Sequence, residues 1–399
     1  MSQKEEVSNA FGKFFSNVGK DLASKIPDPN HSYSTYMPRP HLDSIFLFPT
    51  DTSEISKLIA NLQRKRQHDN ITNIILKALG SSIINPLCTI FNKSLSHGQF
   101  PQEMKIAEVI PIYKGKDKRL LTNSRQISLL PVFSKILEKI VHRRLYDFLI
   151  KNKLLYISQY GFRNGYSTIH AITELVGNII KGFDTKQFTL ALFIDLSKAF
   201  DTLDQNKLLN KLSTYGVRGI ALDWFKSYLT NRKLYVKYND VQSQLYNIEY
   251  GIPQGSVLGP LLFLLYTNDM HMCLKSSKTL LFADDTTLYV TGDNVVSLVD
   301  IIKNGINILV DWFRANKLTL NLGKTTCVLF KPKGKRGTNY NIDIKIDNEE
   351  IAVTNHCKFL GLDIDENLDW SYHINAMCLK LAKNMYLLNG LKKFCPVVD

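Results

Sequence analysis

The chain has 399 residues, 44% of them hydrophobic, which is enough to bury a large core and to form two or three domains or subdomains. The formal net charge of +14, with basic residues in clear excess between residues 61 and 185, favours a polyanionic partner over a merely basic soluble protein. The six cysteines show no CxxC or paired Cys/His spacing, which argues against a zinc knuckle and against a disulfide framework.

The first residues have the pattern of an amphipathic helix, followed by a loop rich in Pro, Ser and Asn from Pro27 to Pro40. We interpret residues 1–60 as a leader or linker packed on the main body. They lack the apolar core of a signal peptide, and no stretch reaches the roughly 18 apolar residues of a membrane span. We therefore expect a protein of the nucleus or cytoplasm that is not secreted and has no membrane partner.

The next part of the chain reads mainly as helix. ISKLIANLQRK and the run from residue 71 to 98 have helical spacing, with Gly98 as the C-terminal stop. Residues 105–115, KIAEVIPIYKG, have the pattern of a strand that runs into a basic turn. Residues 128–153 carry helical periodicity with a basic outer face, so we predict a helix there.

The stretch FTLALFID, residues 188–195, is almost continuously apolar, as expected of a strand buried on both faces. It ends in Asp195, and a charged residue in that position is costly unless it reaches solvent, a partner or a metal. Helices are predicted near 205–215 and 219–230, followed by two strands, RKLYVKY and QLYNIEY, joined by NDVQS. GIPQGSVLGP then opens a very apolar helix.

The stretch LFADDTTLYV, residues 281–290, reads as strand, turn and strand with Asp284 and Asp285 at the tip. Taken alone it indicates an ordinary polar turn, because Asp is common in turns. However, no turn Gly follows, and adjacent carboxylates need a counter-charge to converge. If the strand that ends at Asp195 is a neighbour, three carboxylates meet at one sheet edge. They could hold two Mg²⁺ ions there for phosphoryl transfer.

The last part of the chain predicts a helix over about 295–316, a strand near 318–330, and then a hairpin pattern through Ile344, Ile351, Phe359 and Leu362. Residues 370–399 form one helical pattern with little acid. Two basic stretches, at 64–66 and 331–336, could bind nucleic acid or direct nuclear import, with a solvated loop as the alternative for each.

Five motifs stand in a fixed order: DLSKAFD at 195–201, GIPQGSVLGPLLFLLYTND at 251–269, FADD at 282–285, NLGKT at 321–325 and FLGL at 359–362. This is the order of the palm motifs of reverse transcriptases, and the motifs resemble those of LINE-type, jockey-like non-LTR retrotransposons. ISLLPVFSKILEKIVHRRL and QYGFRNGYST upstream are similar to that family's fingers. The resemblance covers about residues 50–399. It suggests a truncated member, without an endonuclease domain and with an incomplete thumb.

The resemblance implies an α+β fold, the right-hand polymerase, with fingers, an antiparallel palm sheet packed on helices, and a partial thumb. The expected divisions are a leader at 1–60, fingers at 61–187, a palm at 188–345 with an insertion at about 205–250, and a primer-grip hairpin with the truncated thumb at 346–399. It also implies an RNA-directed DNA polymerase that joins dNMP to a primer 3′-hydroxyl. Its partners would be an RNA template, a DNA primer and dNTPs, and its cofactor two Mg²⁺ ions, with Mn²⁺ as an alternative.

The family's roles carry over to individual residues. Asp195, Asp284 and Asp285 resemble the catalytic, metal-binding triad, although Asp285 could instead steer the primer end. Lys324 resembles a lysine that protonates pyrophosphate, with a solvated lysine as the alternative. The residues that resemble nucleotide-binding positions are Phe200, as a steric gate or a core Phe, Gln254 and Gly255 with Gly251, Lys114 and Arg125. Arg163 and Gly361 resemble positions that contact template or primer.

Several positions depart from the family pattern. SRQISLL has Ser124 and Gln126 where YRPISLL is common, Gln67 replaces a Gly, and Tyr166 stands where a basic residue is frequent. These changes predict a looser grip on the nucleotide without removing a metal ligand. The alternative to an active enzyme is therefore a catalytically impaired, nucleic-acid-binding remnant. An RNA-dependent RNA polymerase is disfavoured by the aromatic residue at Phe200.

Overall fold

The structure, a computed structural model, describes residues 3–62, 73–115, 117–335 and 340–392. The chain divides into two compact units, each built from separate stretches of sequence. Unit 1 comprises Met1–Ile157, Leu196–Cys273 and Leu309–Leu320, and unit 2 comprises Ser158–Asp195, Leu274–Ile308 and Asn321–Asp399. The basic stretch at 64–66, the departure at Gln67 and the end of the chain lie outside the described residues.

The described part of the chain contains helices and strands in mixed order, which confirms a mixed α/β fold with sheets packed on helices. Its α-helices are α1 (Gln3–Ala23), α2 (Thr52–Ala60), α3 (Asn73–Leu79), α4 (Ser81–His97), α5 (Val132–Lys151), α6 (Thr168–Asp184), α7 (Gln205–Thr214), α8 (Ile220–Leu229), α9 (Gly259–Thr267), α10 (Val295–Ala315) and α11 (Ser371–Lys392). Among these residues, no helix combines the length and the apolar character needed to cross a bilayer.

The strands are short, and most pair antiparallel. They are β1 (Ile106–Tyr113), β2 (Ser124–Leu129), β3 (Phe188–Ile194), β4 (Arg232–Tyr238), β5 (Val241–Gln242), β6 (Tyr246–Ile248), β7 (Lys278–Phe282), β8 (Asp285–Gly292), β9 (Thr326–Phe330), β10 (Lys345–Ile346), β11 (Glu349–Glu350), β12 (Ala352–Val353), β13 (His356–Phe359) and β14 (Leu362–Asp365).

Unit 1 contains a sheet in the order β2-β1-β4-β5, with β6 also paired to β4. Strands β1 and β2 form an antiparallel pair, whereas β1 and β4 run parallel. Helix α1 packs on this sheet, where Phe11 and Phe15 are buried with Val109, Leu234 and Val236. The predicted amphipathic leader helix therefore exists, and its apolar stripe is part of the core of unit 1.

Unit 2 contains a sheet in the order β12-β9-β3-β8-β7. Strand β3 lies at its centre and pairs antiparallel with both β8 and β9. Six of its seven residues are buried, which confirms the prediction made from its continuous apolar run. Helix α6 packs on this sheet, with Leu175 and Ile179 fully buried. The central position of β3 fixes where the residue after it, Asp195, must lie.

The structure corrects several predicted element boundaries. The predicted helix at 128–153 begins only at Val132, because residues 124–129 pair with β1 as a strand. The predicted strand at 318–330 is regular only from Thr326, and a short 3₁₀ turn precedes it. The single hairpin pattern through residues 344–362 is in fact two hairpins, β10–β11 and β13–β14.

Candidate active site

Asp195 follows β3 directly and is held through both its backbone and its side chain. The backbone N–H of Asn321 donates to the carbonyl oxygen of Asp195 at 2.9 Å. The side-chain Nδ2 of Asn321 donates to Oδ2 of Asp195 at 2.7 Å, and Nζ of Lys324 lies 3.4 Å from the same oxygen. The NLGKT segment thus orients the carboxylate and neutralises part of its charge. Asn321 was not among the predicted site residues.

Asp284 lies in a two-residue turn that joins β7 to β8, since Phe282 pairs with Asp285 across the turn. The first turn residue, Ala283, has φ +57° and is buried. Turns of this shape favour Gly at that position, and Ala there carries backbone strain. The sequence lacks the glycine that such a turn favours, and Ala283 therefore takes a strained conformation next to the two aspartates.

A neighbouring segment braces this turn. Oε1 of Gln159 accepts hydrogen bonds from the backbone N–H of Ala283 at 3.1 Å and of Gly161 at 2.9 Å. Leu281 exchanges backbone hydrogen bonds with Ser158 and Tyr160 on either side of Gln159. Gly161 comes so close that an added Cβ would lie 2.2 Å from the Ala283 nitrogen. In the sequence, only the QYGFRNG motif pointed to this segment, and the motif gave no role to Gln159.

The three aspartates influence one another electrostatically. Burial, together with the charges of Asp284 and Asp195, raises the pKa of the Asp285 carboxyl to about 6, and Lys324 opposes this rise. Neighbouring negative charges make ionisation of a carboxyl unfavourable unless a cation lies nearby. In this structure Lys324 is such a cation and balances part of the negative charge. The geometry therefore brings together four of the predicted residues in unit 2.

Carboxylate oxygens are the ligands that Mg²⁺ prefers, so the donor set at Asp195, Asp284 and Asp285 fits the predicted ion. Across residues 3–62, 73–115, 117–335 and 340–392, however, no three His, Cys, Asp or Glu side chains already stand in a metal-ligating arrangement. Mg²⁺ is commonly held by one or two carboxylates together with substrate phosphates, so these aspartates do not all have to be ligands of the same ion.

A cavity of about 460 Å³ opens beside these carboxylates within unit 2. Asp195, Asp285 and Lys324 line one part of it, and residues of the β13–β14 hairpin, including His356 and Lys358, line another. The tip of that hairpin is formed by Leu360 and Gly361, at φ +49° and +93°. This is a tight two-residue turn, so the glycine has a clear conformational role, and its predicted contact with template or primer stays a prediction.

Within unit 1, the predicted triphosphate-binding residues lie on the β1–β2 hairpin. Lys114 follows β1, and its backbone N–H donates to the carbonyl of Asn123 at 2.9 Å. Arg125 pairs with Ile112 across the hairpin, and both basic side chains are exposed. The hairpin thus presents the two cations near its tip, a placement that suits anion binding.

Phe200 and the PQG segment also belong to unit 1. The Phe200 ring is half-buried and stacks on Phe263 with a centroid separation of 4.7 Å. The carbonyl of Gln254 accepts from the N–H of Ser128 at 2.8 Å. A Cβ at Gly255 would lie 2.5 Å from the Ser128 carbonyl oxygen, so glycine is required there by the close approach of β2.

Sequence reasoning missed a polar cluster in unit 1. Nε2 of Gln126 donates to Oδ1 of Asp201 at 2.6 Å, and Nε2 of Gln254 donates to the same oxygen at 2.8 Å. The departure from proline at Gln126 was predicted to loosen the nucleotide grip, but in the structure its side chain adds a hydrogen bond.

The predicted template contact Arg163 is engaged within unit 2. Its Nη1 donates to the carbonyl of Gln159 at 3.1 Å, and its guanidinium lies 4.3 Å from the centre of the Tyr166 ring. Tyr166, noted as a departure, therefore supplies an aromatic face to this arginine. Contact of Arg163 with a template stays a prediction.

Comparison with known proteins agrees with this arrangement of motifs. The family model for "Reverse transcriptase (RNA-dependent DNA polymerase)" matches residues 113–364, more than half of the chain. The chain therefore belongs to the reverse transcriptase family.

Three of its relatives come from mobile elements of Drosophila melanogaster. The chain is 30% identical to "Probable RNA-directed DNA polymerase from transposon BS" over 87% of its length and 39% of the relative. It is 29% identical to the corresponding protein of transposon X-element, over 86% of the chain and 39% of the relative. It is 27% identical to "RNA-directed DNA polymerase from mobile element jockey" over 91% of the chain and 41% of the relative. The chain thus spans about two-fifths of these relatives, and the predicted resemblance to jockey-like elements is confirmed.

Proposed function

We propose that the protein is an RNA-directed DNA polymerase of a non-LTR retrotransposon, which joins dNMP to the 3′-hydroxyl of a primer paired to an RNA template. One observation carries this proposal. Asp195 follows the central strand β3, and the Asp284–Asp285 pair stands where the adjacent strand β8 begins. The right-hand arrangement of fingers, palm and partial thumb is part of the same proposal.

In this proposal Asp195, Asp284 and Asp285 hold two Mg²⁺ ions. Bound there, the ions would activate the primer hydroxyl and stabilise the leaving pyrophosphate. The chain's own residues perform the remaining tasks. Asn321 keeps the Asp195 carboxylate in place, and Lys324, paired with it at 3.4 Å, supplies a nearby positive charge and a proton donor for pyrophosphate.

The nucleotide-binding residues have separate tasks. The exposed cations Lys114 and Arg125 grip the triphosphate, for which the planar guanidinium suits two-point contact. Phe200, half-buried on Phe263, excludes a ribose 2′-hydroxyl and so selects deoxynucleotides. Gln254 contacts the incoming nucleotide.

The second candidate function is a nucleic-acid-binding protein with impaired catalysis. It is favoured by the departures from the family pattern at Ser124, Gln126 and Tyr166, which predict a looser grip on the nucleotide. The net charge of +14 suits binding under either proposal.

The deciding experiment is extension of a DNA primer on an RNA template with dNTPs and Mg²⁺. We expect the parent chain to extend the primer and Asp284→Asn to lose at least about 10³-fold in rate, since a carboxylate that holds the metal is removed. Asp293→Asn, an exposed aspartate just beyond the far end of β8, is the matched control and should retain parental activity.

A second readout does not depend on turnover. Mg²⁺ should raise the unfolding temperature of the parent, because an ion that binds only the folded state stabilises it, and this rise should be lost in Asp284→Asn. Extension by Asp284→Asn at the parental rate would refute the catalytic assignment. A parent that binds primer–template but never extends it would support the impaired protein instead.

A further inference from the structure

Helix α11 has little packing beyond its first turns. His373 and Ala376, near its start, are partly buried, whereas every residue from Met377 to Leu391 is exposed. In proteins most of the stability of a helix comes from the packing of one face. The direction of α11 must therefore be set near its start, where it packs on β14.

The link between β14 and α11 is braced by one carboxylate. Asp365, the last residue of β14, is 2% exposed and accepts from the backbone N–H groups of Asn367, Asp369 and Trp370 at 3.0, 3.1 and 2.8 Å. Leu368 and Trp370 have φ +54° and +65°, which is costly for residues other than glycine. Both side chains pack against the core of unit 2. The link is therefore built with a defined shape.

A second contact joins the first turn of α11 to the β13–β14 hairpin. The ring of Tyr372 stacks on the ring of His356, with a centroid separation of 4.1 Å and an angle of 8° between the planes. Nδ2 of Asn355 donates to the Tyr372 hydroxyl at 3.1 Å, and Oδ1 of Asn355 lies 2.9 Å from Nδ1 of His356. These three side chains contact one another in a closed set, which we call the joint.

The joint also reaches the cavity beside the carboxylates. His356 lines that cavity together with Asp195, Asp285 and Lys324. The hairpin that closes one side of the proposed catalytic site is thus in contact with the start of α11.

The lysines of α11 continue the face that meets the hairpin. His373 marks this face, since its Nδ1 lies 3.6 Å from Oδ2 of Asp363 in β14. At about 100° and 1.5 Å per residue, Lys380 and Lys383 lie within about 80° of His373 around the axis and about 10 and 15 Å beyond it. Helix α11 contains no Asp or Glu, so these like charges repel each other unless an anion lies beside them. The face suits a polyanion.

We propose that the joint of Asn355, His356 and Tyr372 positions α11 so that Lys380 and Lys383 hold phosphates of the nucleic acid bound at the proposed catalytic site. Tyr372 is a positioning residue here, because it acts through the lysines. The joint then determines how long the protein stays on primer–template and leaves the rate of the chemical step unchanged. The inference rests on the proposed polymerase function, in which α11 belongs to the partial thumb.

The test is primer extension on an RNA template by the full chain, with excess unlabelled primer–template as a trap, so that one binding event is counted. Tyr372→Leu removes the stack and the hydroxyl and keeps a good helix former. We expect the number of nucleotides added per binding event to fall about two- to tenfold, as for loss of one aromatic stack. The rate of single-nucleotide addition by prebound protein should stay at the parental value.

Two further variants are controls for this change. Tyr372→Phe keeps the ring that stacks on His356, and it should recover most of the nucleotides added per binding event. Tyr386→Leu makes the same substitution at a tyrosine of α11 that is 80% exposed and lies about 90° around the axis from the middle of the lysine pair. It should leave the number of nucleotides per binding event unchanged.

The lysines are tested together with the joint. Lys380→Gln combined with Lys383→Gln should lower the number of nucleotides added per binding event and reduce the salt slope of duplex binding by about two. In that background Tyr372→Leu should have no further effect, because the joint acts through the lysines. Additive losses would overturn the inference.

A lowered unfolding temperature or slower single-nucleotide addition by Tyr372→Leu, with parental nucleotides per binding event, would show that the joint only stabilises the fold and would also overturn the inference. Failure of the proposed function is a different result, namely no extension by the parent. Equilibrium binding of a labelled RNA–DNA duplex then decides. Tyr372→Leu should weaken binding about two- to tenfold in the parent and have no effect in the background with both lysines replaced; equal binding by Tyr372→Leu and the parent would refute the inference.

Discussion

Phe200, the proposed steric gate, also takes part in packing. Its ring stacks on Phe263, yet part of its surface stays exposed. Phe200→Val shortens the side chain and should admit a ribose 2′-hydroxyl. We expect the ratio of kcat/KM for dNTP over rNTP to fall by at least about tenfold, with primer extension retained.

The control for this change is Phe48→Val, which shortens a partly exposed phenylalanine of unit 1 that lies over Arg144. It should leave the ratio unchanged. If Phe200→Val also leaves it unchanged, Phe200 is a packing residue and the preference for deoxynucleotides must arise elsewhere.

Individual residues differ in how far the sequence could predict them. Asp195 could be singled out because it ends a continuously apolar run, where a charge needs an explanation. The Asp201 cluster could not, because Gln126 and Gln254 lie 75 and 53 residues from Asp201 along the chain. No local periodicity predicts such a contact, and only the folded sheet brings the three together.

The turn between β7 and β8 is an element whose shape depends on a neighbouring segment. An added Cβ at Gly161 would meet the Ala283 nitrogen at 2.2 Å, so Gly161→Ala must displace the turn that carries Asp284. Because small misplacements of reacting groups are costly, we expect kcat to fall by about 10²-fold in a primer-extension assay.

Gly177→Ala is the matched control, since this glycine lies within α6 with nothing near the place of its Cβ. It should stabilise the protein by about 0.5–1 kcal/mol, as expected for Gly→Ala within a helix, and leave kcat unchanged. Equal kcat for Gly161→Ala and the parent would show that the turn tolerates displacement.

Predicted elements succeeded where one periodicity dominated. The continuous apolar run of β3 and the amphipathic spacing of α1 and α10 left one interpretation each. The prediction was wrong at residues 128–131, where the apolar sequence SLLP suits a helix start as well as a strand end. Pairing with β1 determines that the strand continues to Leu129 and that the helix begins after it. The local sequence alone does not predict this pairing.

At the scale of the whole molecule, the net charge of +14 predicts that nucleic-acid binding weakens as the salt concentration rises. Each neutralised phosphate releases counterions, so an interface with about six phosphate contacts should lose about 10³-fold in affinity between 50 and 200 mM salt. Fluorescence anisotropy of a labelled RNA–DNA duplex would measure this. A nearly flat salt dependence would contradict a binding surface built from the basic residues.

Helix α1 has a practical consequence for producing this protein. The family match begins at residue 113, and a recombinant fragment designed on that boundary would omit the helix. The fragment would also lose nearly all of β1, the strand that lies between β2 and β4, and the remaining strands would expose the apolar surface that Phe11 and Phe15 cover, which favours aggregation. The fragment would also lose Gly19, which packs closely against the Asp201 carbonyl oxygen. If a fragment of that kind is insoluble or does not bind nucleotide, the cause is its boundary. Such a result would not show that the full chain is inactive.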